Sequence, residues 1–249
     1  MLGRHIVYKT DKTDDCYPFE KIKDELLRDS DVIFGNLESP LSNKGEHVPK
    51  KGCAPSFKGS QTFIKNLKAA GFNILNLANN HILDYGVDAA IDTIQLCKKH
   101  SIHTLGIGDS LAKAREPVIF SANNINITFI GYTYAYWADY KKFGCAPMIE
   151  SIIMDDIAKI KSSDSHIIVS LHGGLELIDY PNPSARNLCR KIIDAGASLI
   201  LRHHPHCLQG IEEYNGGLIA YSLGNFVFDQ HVDIIWNSFK NRHFLSRKN

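Results

Sequence analysis

The sequence predicts an α/β fold. Short apolar runs alternate along the chain with stretches whose apolar residues recur at helical spacing. Four of those runs, Asp31–Phe34, Asn73–Leu77, His166–Leu171 and Ser198–Leu201, pass directly into carboxylate, amide or imidazole. Runs this short and this apolar, preceded by helical segments, are the mark of buried parallel strands. Polar residues just beyond the carboxyl ends of such strands stand where open α/β sheets bind ligands.

The elements follow in order. Phe19, Ile22, Leu26 and Leu27 share one helix face, and Gly35 permits the turn that presents Glu38 after the first strand. Residues 42–59 carry Lys44, Lys50, Lys51 and Lys58 among glycine and proline. They read first as a solvated loop and second as a rim that attracts an anion. Ser60 is the expected N-cap of a helix ending at Gly71. After the strand at 73–77, Val87, Ala90, Ile91, Ile94 and Leu96 form an amphipathic helix that begins at Asp84 or Gly86 and runs to about His100.

Ile102–Leu105 is a strand closed by a tight turn at 106–110, which lacks the lysine and full fingerprint of a phosphate cradle. Pro117–Ser121 and Ile125–Tyr132 make a hairpin around Asn123-Asn124. The aromatics Tyr132, Tyr134, Tyr136, Trp137 and Tyr140 are expected in core and rim packing, with a groove for stacking on a polymer as the alternative. Ile152, Ile153, Ile157 and Ile160 mark a helix. Ser184 is expected to cap another through Leu188, Ile192 and Ile193 to Gly196, and residues 208–223 read as a hairpin around Asn215-Gly216. Residues 1–230 are expected to form one domain, with 231–249 an irregular carboxyl-terminal segment.

Composition narrows the function. A formal net charge of +1 argues against a nucleic-acid partner. No apolar run approaches the roughly 20 residues needed to span a bilayer. The six cysteines are scattered without a C-x-x-C pair, as expected of reduced cytosolic thiols. Cys207 is read as a small buried hydrophobe rather than a ligand.

The chemistry lies at the strand ends. If the four strands are parallel, Glu38, Asn80, His81, His172, His204 and His206 gather along one edge. Nitrogen and oxygen ligands without thiolate suit zinc, manganese or iron, and a mixed carboxylate, amide and imidazole set suits a hydrolytic site for one or two divalent metal ions. His172 and His204, read as loop-end residues, are expected to contribute little to the core.

Six blocks, in order, resemble the CapA family of capsule and poly-gamma-glutamate biosynthesis proteins. They are Met-Leu-Gly-Arg at 1–4, Gly-Asn-Leu-Glu-Ser-Pro-Leu at 35–41, Ala-Asn-Asn-His-Ile-Leu-Asp-Tyr-Gly at 78–86, His-Gly-Gly-Leu-Glu at 172–176, His-His-Pro-His at 203–206 and Tyr-Ser-Leu-Gly-Asn-Phe-Val-Phe-Asp at 221–229. The resemblance implies a four-layer αββα sandwich of the metallophosphoesterase type, lacking its first strand. It implies Glu38 as a carboxylate bridging two metals, Asn80, His172 and His204 as ligands of the second metal, and His206 as a ligand of the first. His81 would protonate a leaving oxygen, with Asp84 and Glu176 orienting imidazoles and Asn225 contacting substrate or a ligand loop.

The implied function is metal-dependent hydrolysis, of phosphoesterase type, on an anionic polymer or phosphoester. The alternative is a non-catalytic polymer-binding component of a membrane-associated capsule synthesis complex. The family's first block continues upstream with Gly-Asp, so the chain is expected to be cut short at its amino end. The expected location is cytoplasmic for the chain as given, and the cell envelope if a signal or anchor precedes it. Two positions depart from the family pattern: Arg202 stands where glycine is usual, and Gly173 where an aromatic is usual.

Overall fold

The computed structural model describes residues 2–3, 6, 17–28, 30–50, 55–123, 125–162 and 165–229. The segment expected to be irregular at 231–249, and Met1, Arg4, Lys51 and Asn124, lie outside them.

Two sheets organise the chain. The first is parallel, in the order β1 (Phe34–Asn36), β2 (Ile74–Asn76), β3 (His103–Leu105). The second has six strands and is built on β5 (Val118–Ala122), β6 (Ile125–Thr133), β8 (Ser165–His172), β9 (Leu199–His203), β10 (Ile211–Tyr214) and β11 (Gly217–Ala220), in the order β10-β11-β9-β8-β6-β5. Its centre is parallel, β6 to β8 to β9 to β11, and antiparallel hairpins close both edges. The turn at 215–216 falls as expected. Asn215 and Gly216 both take positive φ, as a two-residue turn between right-twisted strands requires.

Side-chain alternation places the layers. In β8, Ile167, Val169 and Leu171 point away from the first sheet, into a cluster with Ile153, Ile157, Cys189 and Ile192. Those partners belong to α5 (Glu150–Ile160) and α6 (Pro183–Ala195). On the other face of the same sheet, Phe129, Ile127 and Ile168 meet Ile74, Leu105 and Phe34 of the first sheet. The Phe34 and Phe129 rings stack 5.7 Å apart there. The outer face of the first sheet is covered by α2 (Phe63–Ala69) and α3 (Gly86–Lys99), with Phe63, Ile64, Leu67, Ala90 and Cys97 packed on Leu75 and Ile102. The result is the four-layer αββα sandwich. Burying each such large apolar side chain contributes on the order of 1.5–3 kcal/mol, so the three clusters hold the sheets face to face.

Several local expectations shift. The first helix, α1, covers Lys23–Arg28; Phe19 is buried ahead of it and Leu27 is exposed. Helix α2 ends at Gly71 as expected, with Gly71 N–H donating to Lys68 O and Phe72 N–H to Leu67 O. Gly71 has φ +84°, the left-handed position that such a helix end favours. At its other end Ser60 accepts from Thr62 N–H rather than capping the helix proper, which begins at Phe63.

Helix α3 buries Ala89, Ala90, Thr93 and Cys97 and leaves Val87 and Ile91 exposed. Small residues win that face because it lies close against the 41–45 loop: Leu41 N–H donates to Thr93 Oγ1 at 3.0 Å. The cap of α6 is Asn182, whose side chain accepts from Ala185 N–H at 2.8 Å, not Ser184; Pro183 then opens the helix, needing no N–H partner. The expected turn at 106–110 holds a short strand, β4 (Ile107–Gly108), paired with β7 (Gly144–Cys145), and Ser110 then caps α4 (Leu111–Ala114). No helix of the described residues is long and apolar enough to cross a membrane.

Candidate metal centre

The four polar strand ends belong to two sheets rather than one, and both sheets deliver them to the same rim. Glu38 leaves β1, and its loop is tied to the loop after β2 by Asn79. The Asn79 side chain donates to Leu37 O at 2.9 Å and accepts from His81 N–H at 3.0 Å. That pairing leaves the next residue, Asn80, to face the second sheet. His172 is the last residue of β8 and is fully buried, so it is a core residue and not the loop-end residue expected. His204 and His206 follow β9 with φ of +98° and +57°, conformations unfavourable for any side chain with a Cβ. Such strain collects where a geometry is needed for function.

At the rim, His172 Nε2 lies 2.7 Å from Asn80 Oδ1 and 3.5 Å from Glu38 Oε1. His206 Nε2 is 3.8 Å from the same Glu38 oxygen, and His204 Nε2 is 3.9 Å from Glu176 Oε1. Two sets of donor atoms converge within 4.8 Å of one another: Glu38, His172 and His204, and Glu176, His204 and His206. Glu38 Oε1, His172 Nδ1 and His204 Nδ1 are buried with no hydrogen-bond partner among the described residues. A buried carboxylate oxygen with no hydrogen-bond donor, flanked by His172 Nε2 and His206 Nε2, fits a cation. Glu176, expected only to orient an imidazole, stands within ligand reach although its side chain is exposed. The Asn225 side chain contacts His206 Nδ1 at 2.8 Å, which fixes the ring with Nε2 toward Glu38.

His81 sits beside this cluster in a second network. Its Nδ1 is 2.7 Å from Asp84 Oδ2, which also accepts from Phe57 N–H at 2.8 Å. Asp84 is fully buried, and Lys50 is paired with its other oxygen. The Phe57 ring lies edge-on to His81 at 4.4 Å. Lys50 was not distinguishable in the sequence from the other lysines of its loop. Residues 43–49 of the loop are largely exposed, as expected of a solvated segment, with Lys44 pairing with Asp92 at the surface, while Lys58 lies over the Tyr85 ring. Tyr134 was likewise one aromatic among five; its ring packs 5.1 Å from His204, while Tyr132 is buried with its hydroxyl donating to Asp156. The cluster opens into a cleft of about 300 Å³ along β1, walled by Phe34–Glu38, Gly224–Val227, Phe19 and Phe72.

Burial sets the protonation. It pushes His172 well below the usual imidazole range, with the nearby His204 and His203 adding to the effect. It brings His203 and His204 down to about 4. At neutral pH these rings keep their lone pairs for a metal. Burial also raises Glu38, against the opposing pull of His206. A depressed histidine contributes stability that is present above its ordinary value of 6.5 and lost as pH falls toward 4. A raised carboxyl works in the opposite sense, gaining stability as it takes up its proton. In chelator, the chain's melting temperature should therefore fall between pH 6.5 and 4, partly offset by Glu38; a flat profile across that window would mean the imidazoles are not held neutral.

The layers, with polar strand ends gathered at a common rim, define a fold of the metallophosphoesterase type. It is shared with a novel phosphatase from Mycoplasma pneumoniae, with a TM-score of 0.53 and 16% identity over 82% of this chain and 66% of that one. Residues 1–230 match the family described as bacterial capsule synthesis protein PGA_cap, and the chain belongs to that family. It is 33% identical over 239 residues to the capsule biosynthesis protein CapA of Bacillus anthracis, covering 92% of this chain and 58% of that protein. It is 34% identical over 235 residues to the PGA biosynthesis protein CapA of Bacillus subtilis, covering 92% and 61%. The chain thus spans about three fifths of the length of these relatives.

Of the expected site residues, Glu38, Asn80, His172, His204 and His206 lie together at the rim, with Glu176 at its exposed edge. Asn225 touches His206, and the His81–Asp84 pair lies alongside.

Proposed function

We propose that the chain is a metal-dependent hydrolase, of phosphoesterase type, acting on an anionic polymer or phosphoester in capsule or poly-gamma-glutamate synthesis. The observation that carries this reading is the convergence of ligand atoms of Glu38, His172 and His204, from both sheets, at one rim, with Glu38 Oε1 buried and without a hydrogen-bond partner. Glu38, Asn80, His172, His204 and His206 would hold one or two divalent ions, with Glu176 at the exposed edge. Manganese, zinc or iron bound there would polarise a phosphoryl or acyl oxygen and make a water acidic enough to react at neutral pH.

The chain's own groups account for the rest. Asp84 Oδ2, 2.7 Å from His81 Nδ1, fixes the ring, and Nε2 would be the atom that hands a proton to a leaving oxygen. Lys50 Nζ, paired with Asp84 and 3.1 Å from His81 Nδ1, completes the group that holds the imidazole in place. Asn225 orients His206, and the cleft along β1 gives an extended substrate room beside the cluster.

The test is elemental analysis of the purified chain together with turnover of a simple phosphodiester in the presence of manganese, zinc or iron. Near-stoichiometric metal with turnover that chelator abolishes is the expected result. Absence of both metal uptake and turnover would overturn the enzymatic reading and leave a polymer-binding component of a synthesis complex.

A further inference from the structure

Two triads of donors meet at the rim, and they share a residue. Glu38, His172 and His204 form the inner one; Glu176, His204 and His206 form the outer one. The inner triad draws on both sheets. The outer triad lies wholly on the second, on the loops that follow β8 and β9. The two differ in access as well. The Glu176 side chain is 59% exposed, against 8% for Glu38.

The outer triad is assembled without help from the first sheet. Gly173 N–H donates to His203 O at 3.1 Å, and Leu177 N–H donates to Pro205 O at 2.8 Å. The loop that carries Glu176 is therefore tied, on both sides of that residue, to the turn that carries His204 and His206. Leu177 takes φ +57°, an unfavourable conformation for a residue with a Cβ, so the backbone beside Glu176 is strained as it is at His204 and His206. Glu176 Oε1 stands 3.9 Å from His204 Nε2. A neutral imidazole has one lone pair to give, so His204 completes only one triad at a time. With His204 engaged at Glu38 and His172, Glu176 and His206 are left an incomplete pair.

We propose that Glu176, His204 and His206 form an entry site for a divalent metal ion: they take it up from solvent, and His204 then delivers it to Glu38 and His172. An exposed carboxylate draws a cation in from solution. Donors already held together by one sheet receive it before Glu38 of the other sheet is engaged. This step rests on the rim being the metal centre proposed above. Because Glu176 gives up its place on delivery, it governs the rates of exchange more than the final affinity.

The experiment uses the metal-free full chain and zinc. Uptake is followed by stopped flow with a chromophoric zinc indicator, release by transfer to excess chelator, and Kd by isothermal titration. In Glu176→Gln, uptake and release should both slow about tenfold while Kd changes by less than about threefold. Glu38→Ala should keep a weak zinc site whose occupancy leaves amide exchange in β1 and β2 unchanged, and adding Glu176→Gln should abolish it. A higher Kd in Glu176→Gln that comes from faster release alone, with uptake unchanged, would overturn the entry role and make Glu176 a resident ligand. Rates and Kd all equal to the parent's would overturn it too, leaving a solvated carboxylate. Residual zinc binding in Glu38→Ala that survives Glu176→Gln would overturn the outer triad as a site. Absence of zinc uptake by the parent would instead overturn the metal centre itself.

Discussion

Replacing Glu38 by alanine is expected to strip the rim of bound metal, lowering affinity by more than ~100-fold. Residues that only orient a ligand typically cost 10–100-fold when removed, and Glu38 stands nearer than that. It is the buried carboxylate of the cluster, 3.5 Å from His172 Nε2 and 3.8 Å from His206 Nε2. Without it, the cation would face a set in which the buried donors are all neutral and only the exposed Glu176 is anionic. The metal-free variant should be no less stable than the metal-free parent, because burial already disfavours the Glu38 charge. Loss of metal without loss of fold separates a ligand from a structural residue. Glu176→Ala should cost about tenfold at most, given its exposure. Isothermal titration with manganese or zinc measures both, and the reverse order would make Glu176 the principal carboxylate ligand.

The second large effect is expected at Gly131, where β6 crosses the first sheet. A Cβ there would stand 2.3 Å from Asn76 Oδ1 and 2.9 Å from Leu105 Cδ1. Asn76 cannot retreat freely. Its amide donates to Asn36 Oδ1 at 2.9 Å and to Ala78 O at 3.1 Å, and its oxygen accepts from Ala78 N–H at 3.3 Å. Those bonds shape the start of the loop that carries Asn80 and His81. Gly131→Ala should therefore cost about 2–4 kcal/mol through overpacking and broken buried hydrogen bonds. In a domain of this size that lowers the melting temperature by roughly 5–15 °C. It should also weaken metal binding, because Asn80 moves with the loop. A melting temperature within about 2 °C of the parent would show that the sheets yield at that point.

The strand ends were legible in the sequence because each apolar run stops abruptly at a polar group that has no other reason to follow it. The pairing was not. A strand buried on both faces reads as a continuous apolar run whichever sheet it joins, so the runs before Glu38 and His172 looked alike although they lie in different sheets. The face of α3 was read correctly at Ala90, Ile94 and Leu96 and misjudged at Val87 and Ile91, where bulk was taken as a guide to burial. Close approach of the 41–45 loop favours Ala89 and Thr93 instead. At the site, the residue types and their order were readable, and the roles of neighbours were not. Nothing in Asn79-Asn80 tells which side chain ties two loops together and which faces His172; only the fold separates them. Lys50 was hidden among the lysines of its loop, because pairing with Asp84 depends on the path of the chain between them.

The division of the rim between the two sheets has a thermodynamic consequence. Glu38 and Asn80 are carried by the first sheet, His172, His204 and His206 by the second. Any ion that engages both groups is a cross-link between halves that otherwise cohere through the Phe34–Phe129 layer. Occupancy then adds to the unfolding free energy in proportion to RT ln(1 + [metal]/Kd), about 2.7 kcal/mol at a hundredfold excess over Kd. It does so through the separation of the halves. Amide exchange in β1 and β2 should slow together with that in β8 and β9 on loading, while the Asn215–Gly216 turn, at the end of the β10–β11 hairpin away from the rim, keeps its metal-free rate.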